Sequence, residues 1–252
     1  MATHVTYRHL RSGLRTLSCL FYSTMSSKKV TFKSENTIGD CPGTLDGDVA
    51  KTKKGLIVLQ EWWGVNVQIQ QQASELAKMG NFVTLVPDLY RGKVAKDNEE
   101  AGHYMGNLDW PGAVKDIDGA AKYLKELGCK KVGVTGFCMG GALSLASAAL
   151  SPNLSAAAPF YGIPDPKLAD LTTIKIPLQC HFGSEDTLAG FSSPDDAKKL
   201  KEKLSAAGVD ITLYMYDNAG HGFTHKGGHN YKEDAAKLAQ KRLCDFMNEK
   251  LS

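Results

Sequence analysis

Short apolar runs that alternate with helix-forming stretches predict an α/β protein with a mostly parallel, open twisted sheet and helices on both faces. Three observations support this. The runs Gly55–Gln60, Phe82–Pro87 and Lys131–Thr135 lack the apolar–polar alternation of a half-wet strand and read as strands covered on both faces. Amphipathic helical patterns separate them, as parallel strands require. The chain has 252 residues, 42% hydrophobic and 23% charged, enough for one large core. No linker, low-complexity run or internal repeat divides it, so residues 25–252 are expected to form a single domain.

The elements follow in order. Residues 26–48 read as a strand or hairpin entry, with Val30, Thr31 and Phe32 followed by turn residues Gly39, Asp40, Pro42 and Gly43. Gly55–Gln60 is the first strong strand, and Glu61-Trp-Trp-Gly64 is the loop after it. Gln68–Met79 has helix-forming composition and ends at Gly80, read as its C-cap. Phe82–Pro87 is a strand followed by the loop Asp88–Gly92. Ala113–Leu127 places Val114, Ile117, Ala121 and Leu124 on one side of a helix that Gly128 ends. Lys131–Thr135 is a strand, Gly136–Gly141 a glycine-rich turn, and Ala142–Leu150 a small-residue helix. Ser155–Tyr161 and Ile176–Phe182 are strands, Pro194–Ala207 a helix, Val209–Tyr216 the last strand and Asn230–Leu251 a C-terminal helix.

The charge excludes one class of partner. The formal net charge is +3, yet Arg8, Arg11 and Arg15 precede the first acid, Glu35. Removing these three from the 30 basic residues leaves 27 against 27 acidic ones, so the body is neutral and implies no nucleic-acid surface. The three arginines fall on one helical face within residues 1–24, the composition of a mitochondrial or chloroplast transit peptide. A disordered extension, or upstream sequence before a start at Met25, fits the same residues. The expected compartment is the cytoplasm or the mitochondrion. No segment approaches the ~20 apolar residues of a membrane span. The six cysteines are scattered, with no C-x-x-C pair and no histidine at zinc-ligand spacing. The sequence therefore predicts neither a disulfide framework nor a metal or organic cofactor. A monomer or weak homodimer is expected.

Five residues with useful chemistry follow predicted strands: Glu61, Arg91, Cys138, Asp186 and His221. In an open parallel sheet that edge holds the binding crevice. Gly136-Phe-Cys-Met-Gly-Gly141 stands between strand and helix and has the form of a nucleophile elbow with cysteine in place of serine. The glycines make room for a sharp turn. A helix N-terminus behind the sulfur favours a thiolate, and the Met139 N–H is an oxyanion donor. The alternative is a glycine-rich turn carrying a bystander cysteine. After the next-to-last strand, either Glu185 or Asp186 could orient a histidine. His221, between Gly220 and Gly222, reads as the general base, while His225 and His229 read as surface residues. The order nucleophile, acid, base is that of α/β-hydrolases. Glu61 could bond the thiol or the histidine, and the Trp62 N–H is the second oxyanion donor. Trp63 reads equally as packing. Arg91 could fork onto a substrate carboxylate, or equally form a salt bridge with Asp88 or another acid.

On these segments the chain resembles the dienelactone hydrolase family, the carboxymethylenebutenolidases. The segments are Gln60-Glu-Trp-Trp-Gly64, Pro87-Asp-Leu-Tyr90, Gly136–Gly141, Gly183-Ser-Glu-Asp186 and Gly220-His-Gly-Phe223. The resemblance implies an α/β-hydrolase fold, a Cys138–His221–Asp186 triad and hydrolysis of a small ester or lactone substrate. It selects Asp186 over Glu185. It gives Glu61 the role of contacting the resting thiol and helping to ionise it, and Arg91 that of binding a substrate carboxylate. A second arginine is expected after the histidine loop. Here Phe223-Thr-His-Lys-Gly227 contains none, and only His225 or Lys226 could replace it. That departure points away from dienelactone itself. A cysteine thioesterase or acyltransferase, or a non-catalytic redox sensor on the same scaffold, are the rival readings.

Overall fold

The computed structural model describes residues 27–252. The expected leader at residues 1–24 lies outside them. Eight strands form one sheet in the order β1-β2-β4-β3-β5-β6-β7-β8. In chain order they are β1 Lys28–Phe32, β2 Cys41–Asp46, β3 Lys54–Leu59, β4 Val83–Pro87, β5 Lys131–Phe137, β6 Ala156–Phe160, β7 Leu178–Gly183 and β8 Ile211–Tyr216. The helices are α1 Val67–Gly80, α2 Asn98–Gly106, α3 Trp110–Glu126, α4 Met139–Leu150, α5 Pro194–Ala206 and α6 Glu233–Lys250. From β4 to β8 the strands run parallel, whereas β1 and β2 pair antiparallel at one edge. The fold is that of an α/β-hydrolase.

The central strands lack polar alternation because helices cover both faces. Leu56, Ile57, Val58 and Leu59 of β3, and Val132 and Val134 of β5, are fully buried. Each such side chain contributes about 1.5–3 kcal/mol by leaving water. The small-residue helix α4 is buried along most of its length, against β5 and β6. Its alanines and glycines allow that close approach.

Several boundaries differ from the sequence reading, and at α3 and α1 a polar residue sets the end. Helix α3 starts at Trp110, where Asp109 caps the Gly112 N–H and Pro111 sits in the first turn. Helix α1 is closed by Asn81 in the left-handed region, φ 51°, and not by Gly80. Gly80 is instead needed for packing, since a Cβ there would run into the Phe82 ring. Helix α6 starts at Glu233 and not Asn230, whose side chain turns back to donate to the His221 carbonyl at 2.9 Å. Helix α2 was not predicted. It buries only Ala101, so it has no apolar period to read, although Asp97 caps it through the Glu100 N–H.

The strand order also locates the crevice. The chain passes from β3 to β4 on one side, then crosses through α3 to β5 on the other. The switch point lies between the carboxyl ends of β3 and β5. Leu59 pairs with Gly136 in that register, so Glu61 and Cys138 each stand two residues further along neighbouring strands.

Candidate active site

Cys138 leaves β5 at φ 55° and ψ −115° and begins α4. A positive φ is costly for a residue with a side chain and persists only where the surroundings impose it. Here the Cys138 N–H donates to the Phe160 carbonyl at 3.2 Å and its own carbonyl accepts from Ala142 at 3.1 Å. Glycine is required beside it: a Cβ on Gly140 would meet the Gln60 carbonyl oxygen at 2.6 Å, and one on Gly141 would overlap that of Phe160.

The sulfur is not held as a thiolate. Burial pushes the Cys138 thiol well above its ordinary range, and the charge of Glu61 pushes it further. The Met139 N–H donates to the sulfur and opposes this, while Asp186 adds to the rise. Desolvation therefore outweighs the helix N-terminus, contrary to the expectation drawn from the elbow alone.

Asp186 follows β7 with its side chain fully buried, whereas its neighbour Glu185 is exposed. One Asp186 oxygen accepts from the Leu188 N–H, and the other lies 2.8 Å from His221 Nδ1. Ser192 Oγ, also buried, sits 3.1 Å from the same nitrogen. With Nδ1 so engaged, Nε2 is the nitrogen left for chemistry. Tyr161 meets the His221 ring edge-on at 5.1 Å, and its hydroxyl pairs with Thr224 at 2.7 Å. It too has a positive φ, 33°, and it lies beyond the β6 residue paired with Phe137. Burial, followed by the Glu61 charge, raises its hydroxyl's pKa. Sequence reasoning missed Ser192, Tyr161 and Asn230 because no motif around them carries a chemical signal.

Glu61, Trp62, Trp63, Cys138, His221 and His225 line one cleft of about 180 Å³, together with His229 and Asn230. The two tryptophans meet edge to face at 5.2 Å, so Trp63 is part of the cleft wall as well as packing. His229 is exposed, as expected. His225 is not a surface residue: its Nδ1 lies 2.5 Å from Glu61 Oε2, its side chain is three-quarters covered, and that hydrogen bond raises its pKa. Glu61 is thus held by His225 and not by His221.

Arg91 is not brought to this cleft. It forks onto Asp116 of α3, at 2.8 and 2.9 Å, and donates to the Asp88 carbonyl at 3.1 Å. The Asp116 side chain is fully buried and also accepts from Ser34 Oγ and Asn36 Nδ2, so the arginine ties the β1–β2 connection to α3. Of the two readings of Arg91, the ion pair is the one formed here, and its acid is Asp116 and not Asp88. Arg91 borders a separate cavity of about 530 Å³ lined by β1, β2 and the loop after β4, which includes none of Cys138, Asp186 and His221. Lys226 is also outside the cleft, paired with Glu75 of α1 at 2.5 Å.

Among the described residues no cluster of His, Cys, Asp or Glu could hold a metal ion, and no helix is long and apolar enough to cross a membrane. The five described cysteines are free.

Residues 43–251 match the model of the dienelactone hydrolase family. The chain is 34% identical over 183 residues to protein usf of Aquifex pyrophilus, covering 68% of this chain and 77% of that one. It is 28% identical over 218 residues to the carboxymethylenebutenolidase of Pseudomonas putida, covering 81% and 90%. Among solved structures, a dienelactone hydrolase-like promiscuous phosphotriesterase from metagenomic libraries superposes with a TM-score of 0.76 at 23% identity, covering 89% of this chain and 98% of that one. The chain belongs to the dienelactone hydrolase family and, with it, to the carboxylic ester hydrolases.

Proposed function

We propose that this protein cleaves a small, uncharged ester or lactone through Cys138, His221 and Asp186, by way of a thioester on Cys138. The observation that supports this most is the Asp186–His221 contact at 2.8 Å. It leaves the second imidazole nitrogen for the cleft that Cys138 also lines. His221 takes the thiol proton as sulfur attacks the carbonyl carbon, and the imidazolium is stabilised by buried Asp186. The Met139 and Trp62 N–H groups receive the oxyanion. Collapse expels the alkoxide, which takes the proton back from His221. Water, deprotonated by the same imidazole, then releases the acid and restores the thiol.

The preference for uncharged substrates follows from the cations. Arg91 and Lys226 are both spent on acids outside the cleft, and the two imidazoles facing it are each bonded to a carboxylate. Glu61 and Asp186 would repel an anionic acyl group. Two tryptophans offer a flat apolar wall in its place.

The test is turnover of p-nitrophenyl acetate, a neutral lactone and an acidic dienelactone by the wild type and Cys138→Ala. The expected result is a loss of about a thousandfold or more in the variant, with the wild type preferring the neutral lactone. Near-normal turnover by Cys138→Ala would overturn the cysteine mechanism. Preference for the acidic lactone would overturn the substrate class.

A further inference from the structure

His221 has one more neighbour than a triad needs. Its Nδ1 lies 2.8 Å from Asp186 Oδ2 and 3.1 Å from Ser192 Oγ. Ser192 is fully buried, and this nitrogen is the one partner of its hydroxyl among the described residues. A buried hydroxyl costs free energy unless it is paired, so the imidazole is what repays a serine here. One peptide places both oxygens. The Leu188 N–H donates to Asp186 Oδ1 at 3.1 Å, and the Leu188 carbonyl accepts from the Ser192 N–H at 2.9 Å and the Ser193 N–H at 3.1 Å. Ser193 then caps α5, its side chain accepting from the Asp196 N–H. The Phe191 carbonyl accepts from the Ile163 N–H at 2.9 Å. The loop after β7 is thus tied to itself, to α5 and to the segment after β6, and it presents the two oxygens to the ring together.

We propose that Ser192 is a positioning residue for His221: its hydroxyl oxygen shares the Nδ1 hydrogen with Asp186, holds the imidazole in one orientation and tautomer, and stabilises the imidazolium formed during turnover. This rests on the reading of His221 as general base. The direction of the bond follows from the carboxylate. An Nδ1 without a hydrogen would turn its lone pair on Asp186 Oδ2 at 2.8 Å, two electron-rich atoms in contact. Nδ1 therefore carries the hydrogen, and Ser192 accepts. A hydrogen bond is stronger when one partner is ionised, so the Ser192 oxygen favours the charged ring over the neutral one.

Orientation follows from the same contacts. Turning the ring over would set a C–H against both oxygens, so it would forfeit two contacts and not one. Asp186 supplies charge, and Ser192 supplies a second fixed point that a single carboxylate oxygen cannot. The other titratable groups around His221 are Cys138 from the elbow, Glu61 from the β3 loop, Tyr161 after β6, and His225 and His229 from its own loop. Replacing the Ser192 hydroxyl removes none of these, so a change in the behaviour of His221 reports on the Nδ1 contact.

The experiment is the NMR titration of the His221 ring protons, assigned by their absence in His221→Gln, in the wild type, Ser192→Ala and Ser193→Ala. It needs no turnover, so the inference can fail while the hydrolase reading stands, and the reverse. In Ser192→Ala the midpoint should fall by about half a pH unit, a roughly threefold weaker hold on the proton. The Nδ1–H should also exchange faster with water. On p-nitrophenyl acetate kcat should fall about threefold, with KM unchanged. Ser193→Ala loosens the same loop through the α5 cap without touching the ring. It should lower Tm and leave the His221 midpoint in place. An unchanged midpoint in Ser192→Ala, with the fold intact by circular dichroism, would overturn the proposal. So would an equal shift in Ser193→Ala, which would make the effect one of loop structure alone.

Discussion

The cleft around Cys138 and the cluster around Arg91 both lie beyond the carboxyl ends of parallel strands, and both join a charged residue to a buried carboxylate. They differ in what is left over. At Arg91 both terminal guanidinium nitrogens are taken up by Asp116 and by the Asp88 and Gly39 carbonyls, with the buried Nε alone left without a partner, and Asp116 is filled in turn by Ser34 and Asn36. At Cys138 one face of each imidazole is fixed by an acid, and the opposite face is left for the cleft. An ion pair whose terminal nitrogens are all spent is a staple, whereas a half-satisfied imidazole beside a nucleophile can move protons. Position at the strand edge selects candidates, and the unspent atom decides among them.

Substitutions at the two places should break in different currencies. The largest effect is expected from Asp186→Asn. It keeps the shape but removes the charge that fixes the His221 tautomer, so kcat should fall by about a hundredfold to ten-thousandfold with little change in Tm. Steady-state kinetics and a thermal melt check this together. Arg91→Met should do the reverse. It leaves Asp116 buried without its cation and should cost about 2–3 kcal/mol in denaturant unfolding, below the full penalty of a broken buried pair because the Arg91 side chain is a fifth exposed. Activity on a neutral ester should stay within a few-fold of wild type. A large loss of activity on acidic substrates alone would reinstate Arg91 as a substrate ligand.

A smaller effect is expected in the layer beneath the cleft. His181 of β7 is fully buried, stacked on Phe160 at 4.3 Å, with Nδ1 2.8 Å from the Tyr216 hydroxyl. Burial, with Arg242 nearby, holds its pKa down at about 3. The folded protein thus binds this proton less readily than the unfolded chain, whose histidine titrates near 6.5. The stability contributed by neutral His181 is full above that value and is lost as pH falls from it toward 3. Unfolding free energies measured from pH 7 to pH 4 should decline less steeply in His181→Phe than in wild type.

Much of this was legible in the sequence because it rests on local rules. The elbow motif pointed to Cys138, the glycine flanks pointed to His221, the post-strand acids left Glu185 and Asp186 open until the family resemblance chose Asp186, and apolar runs located the central strands. What escaped depends on long-range partners. For Arg91 the sequence leaves a substrate fork and a salt bridge equally open until α3 brings Asp116 to it across 25 residues. His225 looks like a loop histidine until the fold sets it on Glu61, 164 residues away. Ser192, Tyr161 and Asn230 matter only through where they touch His221. The thiol's ionisation could not be read either, since helix polarity is local whereas burial is a property of the whole packed sheet.

The central claim is that Cys138 carries the acyl group. The most direct measurement is acid quenching during turnover of p-nitrophenyl acetate, followed by peptide mass spectrometry of wild type and Cys138→Ala. The account predicts an acetyl group on the Cys138 peptide of the wild type, released by hydroxylamine as a thioester is, and none in the variant. Turnover in both proteins, with the acetyl group on another residue or on none, would contradict it.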